Sequence, residues 1–259
     1  MALLLFVTRR FVVSFSNRWI SFDCFGTLVD WHAWFAEVLG PLGSHTSTDV
    51  IRAYHAHERL VERDYPHRSY KDVLVTALGR AAADCGIHLS SRDARNILMA
   101  GWASMRLFDD VEVMLAELRA NGYRLAVLTN CDEDLFWTTH RLFTAPFDFV
   151  LTAERVQGYK PERWHFSGFE RLIGVSKSNW VHVANSWYHD IAPARALGVR
   201  HVWLDRERTG EDVGSETVRI QSAVEVSSVI RRLFAGAEAA AARTDGARPD
   251  QRIISAAVC

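Results

Sequence analysis

The stretch ISFDCFGTLVDW, residues 20–31, places a single aspartate, Asp23, directly after an apolar run. Gly26 allows the backbone to turn tightly there, and the hydroxyl of Thr27 can hold the carboxylate or a substrate oxygen. A carboxylate at the end of a strand can serve as a nucleophile. The position two residues later, where a second acid would make a paired-carboxylate site, is Phe25. Taken alone, Asp23 is more typical of a helix N-cap or an Asx turn.

More polar side chains follow the later apolar runs RLAVL and WVHVA or lie in the loop before a helix. They are Thr129, Asn130, Lys160, Asn185, Ser186 and Asp190. Each of them alone is more typical of turn chemistry, a helix cap or a solvated surface. Their joint placement with Asp23 at successive strand ends favours a functional site.

The elements that must position these side chains are short apolar runs that alternate with helical stretches. The strand predictions are 19–25, 124–130, 147–152, 180–186 and 201–205. This rhythm predicts an α/β fold with a Rossmann-like parallel sheet and helices on both faces. Because ligands bind at the carboxyl ends of such strands, the polar residues should gather around one crevice.

A helical insertion interrupts this rhythm after the first strand. Apolar residues recur there every three or four positions, which predicts an inserted α-helical cap domain over the crevice. The Ala-rich, polar end of the chain predicts a disordered tail. The predicted units are an N-terminal extension (1–18), a core (19–30 and 108–234), the cap (31–107) and the tail (235–259).

Composition bounds the partners of this 259-residue chain. A net charge of −1 gives no electrostatic reason to expect nucleic acid or an anionic membrane as a partner. No stretch approaches the roughly 20 apolar residues of a membrane span. Cys24, Cys85, Cys131 and Cys259 lack the spacing of a zinc site, which predicts reduced thiols and a cytoplasmic location. A small-molecule substrate is therefore the expected partner.

Four segments carry a family resemblance. FDCFGTLVDW, LAVLTN, GYKPERWHF and HVANSWYHDIAPARALG resemble, in order and context, the four motifs of the haloacid dehalogenase (HAD) superfamily. The resemblance covers residues 19 to about 206, and the insertion is similar to the α-helical caps of that superfamily. Its phosphatases have a second aspartate two residues after the nucleophile. The branch of L-2-haloacid dehalogenases has an aromatic residue there, as Phe25 is here.

The chemistry of the leaving group agrees with this division. A phosphatase must protonate a poor alkoxide leaving group, and a general acid contributes ~10²–10⁴-fold. A halide leaves as a stable anion without a proton. The resemblance therefore implies hydrolysis of short 2-haloalkanoic acids to 2-hydroxy acids, without metal, through an ester on Asp23. Lys160 would keep Asp23 ionised, and Asp190, alone or with Asn185, would position and deprotonate the hydrolytic water.

The resemblance also implies roles for the substrate-binding residues. Thr27 and Thr129 would donate to Asp23 or to the substrate carboxylate, and Asn130 would help to cradle the departing halide. Phe25 would help to form a drier, more apolar pocket. Ser186 is predicted to bind substrate beside Asn185.

Three features depart from the dehalogenase pattern. The family's cap arginine, which grips substrate carboxylate or halide, could be Arg52, Arg59 or Arg63, and none of them lies in a diagnostic motif. Trp187 stands where those dehalogenases tend to have asparagine, which indicates a neighbouring subfamily with a differently shaped pocket. His189 is a rival base, although a structural role is the stronger expectation because Asp190 is the residue that matches the motif.

Two other functions stay open at this point. A phosphatase or another small-molecule hydrolase on the same scaffold is one alternative. Mg²⁺ would then be the cofactor of the phosphatase, held by Asp23, the backbone carbonyl of Phe25 and Asp190. A non-catalytic binding protein could also have kept the fold. Dimers are common in the family that the chain resembles, so a homodimer is a further expectation.

Overall fold

A parallel sheet forms the centre of the core. The computed structural model of the protein describes residues 17–40, 44–64, 66–209, 214 and 217–245. Within those residues six parallel strands pair in the order β3-β2-β1-β4-β5-β6. They are β1 (Trp19–Phe22), β2 (Arg124–Thr129), β3 (Phe149–Thr152), β4 (Trp180–Ala184), β5 (Arg200–Leu204) and β6 (Val218–Ile220). The α/β prediction is confirmed, and β6 is an edge strand that the sequence did not reveal.

Helices cover both faces of this sheet. In the core they are α5 (Val111–Ala120), α6 (Glu133–His140), α7 (Ala153–Val156), α8 (Trp164–Ile173), α9 (Ala192–Ala196) and α10 (Val226–Asp245). Ile20 and Phe22 of β1 belong to an apolar cluster that includes residues of α5 and α10. Trp19 belongs to a second cluster that includes residues of α8 and α9. Alternation along the strand therefore buries both faces, as expected for a parallel sheet.

Strand β1 is shorter than predicted and delivers Asp23 to the carboxyl end of the sheet. It ends at Phe22, because the carbonyl of Cys24 accepts hydrogen bonds from the amides of Leu28 and Val29 at 2.8 and 3.0 Å. Gly26 lies within this turn with φ of 85°, a conformation that favours glycine. The turn places Asp23 immediately beyond the strand, in the centre of the sheet.

The insertion after β1 is helical, as the periodicity predicts. Its helices are α1 (Trp31–Leu39), α2 (Ser44–Val61), α3 (Tyr70–Asp84) and α4 (Ser91–Gly101). The entry and exit segments run side by side, since the Asp30 amide donates to the Arg106 carbonyl at 2.9 Å and the Phe108 amide to the Leu28 carbonyl at 3.1 Å. Cap and core are also tied by Asp132, which accepts from the amide of Tyr70 at 2.7 Å.

The structure describes more of the predicted C-terminal tail than of the predicted N-terminal extension. Helix α10 continues to Asp245, so residues 235–245 are helical rather than disordered as predicted. Alanine has the highest helix propensity, which explains why the Ala-rich segment extends the helix. Residues 246–259, including Cys259, and residues 1–16 of the predicted extension lie outside the described residues.

Two findings bear on the expectations about membranes and thiols. In the described part of the chain, no helix is long and apolar enough to cross a membrane. Cys24, Cys85 and Cys131 are free thiols.

Candidate active site

Asp23 is buried and holds a hydrogen-bond donor on each carboxylate oxygen. The Thr27 hydroxyl donates to Oδ2 at 2.8 Å, and the Lys160 ammonium donates to Oδ1 at 2.8 Å. Thr27 Oγ1 in turn accepts from the amide of Asn185 at 2.9 Å. Because that amide can only donate, the hydroxyl hydrogen of Thr27 is directed to Asp23. The carboxylate is thereby fixed in one orientation.

Lys160 connects two acids in the interior. Its side chain is 1% exposed, and Nζ donates to Asp23 Oδ1 at 2.8 Å, to Asp190 Oδ1 at 2.6 Å and to the Leu128 carbonyl at 2.8 Å. An ammonium group has three hydrogens, and each of them has an acceptor. The lysine is therefore held in place between Asp23 and Asp190.

Asp190 reaches this position from a turn of π-helix, Trp187–Ile191, that precedes α9. Ser186 caps the turn, since its hydroxyl oxygen accepts from the His189 amide at 3.1 Å. Asp190 Oδ1 accepts a hydrogen bond from the Lys160 ammonium at 2.6 Å and lies 3.0 Å from Nε2 of His182. Asp190 Oδ2 is buried and accepts no hydrogen bond from the described residues. One oxygen is saturated, and the other keeps its acceptor capacity.

The pKa values of Asp23 and Asp190 are shifted in opposite directions. Burial raises the pKa of Asp23, against the opposing effect of the Lys160 ammonium. Burial acts on Asp190 in the same direction, but Lys160 and His182 lower the pKa of Asp190 to about 2. Burial alone would lower the pKa of Lys160, and the carboxylates of Asp190 and Asp23 raise it instead. Asp190 is therefore ionised throughout the physiological range, and Asp23 takes up a proton first on acidification.

A cavity of about 510 Å³ lies above these groups, between the cap and the carboxyl ends of the strands. It is lined by all of the predicted site residues except Thr27, which lies behind Asp23. Phe25 also lines it, with its ring edge-on to Trp102 of the cap at 5.4 Å. A volume of this size is ordinary for a small-molecule site.

Thr129 and Asn130, at the end of β2, differ in their hydrogen bonding. The Thr129 hydroxyl is buried and has no partner among the described residues. The amide of Asn130 is engaged: Oδ1 accepts from the backbone N–H of Lys160 at 2.7 Å, while Nδ2 donates to the Lys160 carbonyl and to Glu62 at 3.0 and 3.1 Å. Thr129 is therefore the better placed of the two to donate to a ligand.

Asn185 and Ser186 follow β4 and are also bonded to neighbours. Asn185 donates through Nδ2 to Glu207 at 3.2 Å and accepts the amide of Arg206 on Oδ1 at 3.0 Å, which ties two core loops together. Ser186 Oγ lies 3.1 Å from His189 Nδ1. Both residues line the cavity, but the side chain of Asn185 is bonded away from Asp190's free oxygen.

The cap contributes two buried glutamates that the sequence did not reveal as site residues. Glu62 Oε2 lies 3.1 Å from Nε2 of His189, so an ion pair joins the cap to the core. Burial alone would lower the pKa of His189, and Glu62 raises it. Glu58 accepts the hydroxyls of Tyr54 and Tyr70 at 2.8 and 3.0 Å. The signal was the spacing of four residues: Glu62 directly follows α2, and its amide donates to the Glu58 carbonyl at 2.9 Å, so both acids lie on the same side of this helix end.

The three cap arginines have different surroundings. Arg59 lines the cavity, with its guanidinium 4.6 Å from the centre of the Tyr188 ring. Arg63 donates to the Tyr188 hydroxyl and lines a neighbouring cavity. Arg52 is exposed and pairs with Asp49 at 3.2 Å. Arg59 is therefore the one of the three that lines the same cavity as Asp23.

The arrangement of these side chains also bears on whether the site could hold a metal ion. Among the described residues, no group of three or more histidines, cysteines or acids is arranged to hold a metal ion. The oxygens of Asp23 and Asp190 that face each other are already bridged by the ammonium of Lys160. The ammonium thus occupies the place between these two oxygens that a bridging divalent cation would need.

Comparison with known proteins shows the family. The model of haloacid dehalogenase-like hydrolases matches residues 74–204, just over half of the chain. The chain belongs to the haloacid dehalogenase-like hydrolase family. This hydrolase is 25% identical over 218 residues to an (S)-2-haloacid dehalogenase of Pseudomonas sp. (strain YL), a match that covers 80% of the chain and 93% of that relative.

Solved structures agree with this hydrolase in fold. An L-2-haloacid dehalogenase superposes with a TM-score of 0.74 at 21% identity, covering 83% of this chain and 98% of the other. The L-2-haloacid dehalogenase of Xanthobacter autotrophicus with chloropropionic acid covalently bound superposes with a TM-score of 0.68 at 15% identity, over the same shares of both chains. The family model confirms the resemblance inferred from the four sequence segments, and these structures agree with it in fold.

Proposed function

We propose that this hydrolase removes the halogen from short 2-haloalkanoic acids and releases 2-hydroxy acids. The observation that carries the proposal is the setting of Asp23. Thr27 and Lys160 orient and stabilise the carboxylate, while the residue two positions later is the apolar Phe25. Such a site favours a nucleophile that displaces a leaving group needing no proton. The (S)-2-haloacid dehalogenase of Pseudomonas supports the assignment.

The first step is a displacement at the carbon that carries the halogen. An oxygen of Asp23 forms a bond to C2 of the substrate, and the halide leaves with the electron pair of the carbon–halogen bond. Lys160 keeps Asp23 ionised for this attack, because a nearby cation favours the charged form. The product of the step is an ester between Asp23 and the 2-carboxyalkyl group.

The second step is hydrolysis of that ester. Water attacks the carboxyl carbon of Asp23, and the bond from that carbon to the alkyl oxygen breaks. One hydrogen of the water passes to the departing alkoxide, which leaves as the 2-hydroxy acid, and the other is released as a proton when the Asp23 carboxylate re-forms. Asp190 accepts a hydrogen bond from this water through Oδ2, the oxygen that is not engaged by Lys160 and His182. The low pKa of Asp190 makes it a weak base, so its main contribution is to orient the water.

Substrate recognition is assigned to residues at opposite sides of the cavity. Arg59 supplies a cation for the substrate carboxylate from the cap, and the Thr129 hydroxyl donates to the same group from the core. Asn130 cradles the halide with its amide, in a complex where Nδ2 is released from Glu62. Phe25 limits the water around the reacting carbon. The reaction is proposed to need no metal, and the small acid is the only proposed partner.

The experiment is halide release from chloroacetate and 2-chloropropionate, measured with and without EDTA. The proposal requires release that EDTA leaves unchanged and that Asp23→Asn abolishes. A single turnover in H₂¹⁸O should place the label in Asp23 rather than in the 2-hydroxy acid, since water attacks the carboxyl carbon. No halide from any short haloacid overturns the proposal, and strong Mg²⁺-dependent cleavage of a phosphate monoester would establish the phosphatase alternative.

A further inference from the structure

A series of buried hydrogen bonds connects Trp180 and Ser21, through His182, to Asp190. Ser21 of β1 and His182 of β4 are paired in the parallel ladder, and both side chains are fully buried. Trp180 Nε1 donates to Ser21 Oγ at 2.7 Å. Ser21 Oγ lies 2.8 Å from His182 Nδ1, and His182 Nε2 lies 3.0 Å from Asp190 Oδ1. None of these three side chains lines the cavity.

The donor and the acceptor of each hydrogen bond in this series can be assigned from the chemistry of the side chains. The indole of Trp180 can only donate, so Ser21 Oγ is its acceptor. Ser21 then has its own hydroxyl hydrogen to give, and Nδ1 of His182 is the acceptor in reach. The imidazole keeps its hydrogen on Nε2, which faces the ionised carboxylate of Asp190. The ring is also held from the side by Phe166, edge-on at 5.1 Å.

This arrangement decides which oxygen of Asp190 remains available. Lys160 and His182 both donate to Oδ1, from different directions, so the carboxylate cannot rotate without losing one of them. Oδ2 therefore keeps a fixed direction and its full acceptor capacity. Lys160 alone would leave the carboxylate free to turn about a single contact.

We propose that Trp180, Ser21 and His182 form a positioning relay that orients Asp190 toward the water attacking the Asp23 ester. This inference rests on the proposed function, and it assigns residues that touch neither substrate nor water. The relay acts on one half of the reaction, because the contacts of Asp23 with Thr27 and Lys160 do not involve it. Its loss should slow ester hydrolysis while ester formation continues.

The first test follows a single turnover of 2-chloropropionate by rapid quench, with halide and the intact mass of the protein as readouts. In His182→Leu we expect ester breakdown to slow about 10- to 100-fold, the range for losing a hydrogen bond to a charged group. Halide should still appear in a first-turnover burst, and the adduct on Asp23 should accumulate. His182→Gln, which can present an amide N–H near the same place, should restore much of the breakdown rate.

His201→Leu is the matched control. His201 is the neighbour of His182 in the β4–β5 ladder and is also buried, but its ring nitrogens contact the Val199 carbonyl and Thr217. It should leave the ratio of the two half-reactions unchanged. Single-turnover rates do not depend on the fraction of folded protein, so a loss of folding cannot imitate the split. Equal slowing of both halves, or unchanged breakdown in His182→Leu, overturns the relay.

A second test needs no substrate and separates this inference from the proposed function. Long-range ¹H–¹⁵N spectra of the imidazole nitrogens should show the Nε2–H tautomer of His182 in the wild type. In Ser21→Ala, where the hydrogen bond to Nδ1 is lost, the signals should shift, whereas His201→Leu should leave them in place. An Nδ1–H tautomer in the wild type overturns the relay even if halide is released. Absence of halide release with the Nε2–H tautomer present overturns only the proposed function.

Discussion

Replacement of Lys160 by methionine tests the centre of the site most directly. Methionine keeps much of the length and the apolar stem but removes the ammonium that lies 2.8 Å from Asp23 and 2.6 Å from Asp190. At an effective dielectric constant of about 20, each contact is worth about 6 kcal/mol of gross Coulomb energy. Most of this offsets the desolvation of the ions, and removing one partner of a buried pair costs about 3–5 kcal/mol net. A domain stable by about 5–15 kcal/mol would be strongly weakened.

The activity of Lys160→Met should change in its pH dependence as well as in its size. Burial raises the pKa of Asp23, and Lys160 opposes this effect. Without the ammonium the pKa of Asp23 rises further, and the neighbouring charge of Asp190 acts in the same direction. Because the nucleophile must be ionised, activity is lost as the pH falls through this pKa. The acid limb of kcat/KM should therefore move to higher pH in the variant.

The assays are urea unfolding and halide release across a pH series, with a surface lysine as the control. Lys71 pairs with Asp134 at 2.7 Å while partly exposed, and Lys71→Met should cost no more than about 1 kcal/mol. Adding Asp190→Asn to Lys160→Met removes one of the two unpaired charges and should recover part of the lost stability. If Lys160→Met unfolds at the wild-type urea concentration and keeps the wild-type acid limb, the assignment of Lys160 is refuted.

Three further substitutions probe the walls of the cavity. Arg59→Ala should raise KM for chloroacetate about tenfold or more while Arg52→Ala leaves it unchanged, as steady-state halide release will show. Phe25→Asp places a second carboxylate beside the nucleophile, so halide release should fall at least about tenfold at pH 7. Glu62→Gln removes the partner that raises the pKa of His189. Since stabilisation by a raised histidine pKa fades as pH rises, urea unfolding should show a larger loss at pH 6 than at pH 9.

The sequence was sufficient to predict five of the six strands described here and to bring the site residues together. Parallel strands bring their carboxyl ends to one edge, so Asp23, Asn130 and Asp190 could be placed together from the order of apolar runs alone. The direct contacts of Lys160 with two carboxylates follow from the same topology plus the reach of a long side chain. What the sequence could not supply is how far each acceptor is already occupied, as for Asn130, whose amide is bonded to Lys160 and Glu62.

Other features lacked a local signal. Strand β6, Val218–Ile220, has three residues and is too short to show periodicity. The π-helical turn that brings Asp190 inward cannot be distinguished from an α-helical start by apolar spacing. His182 lies within an apolar strand, and its contact with Ser21 depends on the register between β1 and β4, which are far apart in the sequence. The alternation of residues along the strands predicts which side chains are buried, but it does not predict which buried side chains contact one another.

The charges of the site support the proposed role of a cap cation. Asp23 and Asp190 carry two negative charges and Lys160 carries one positive charge, so the group has a net charge of −1 before substrate enters. The Glu62–His189 pair is neutral in sum when both groups are ionised. The proposed haloacid substrate adds another negative charge beside these buried groups, and unpaired buried charge is costly. Arg59 on the cavity wall can compensate it, whereas Lys160 has no hydrogen left to give. Under the proposed function, we therefore assign the substrate's carboxylate to the cap arginine and the nucleophile to the buried lysine.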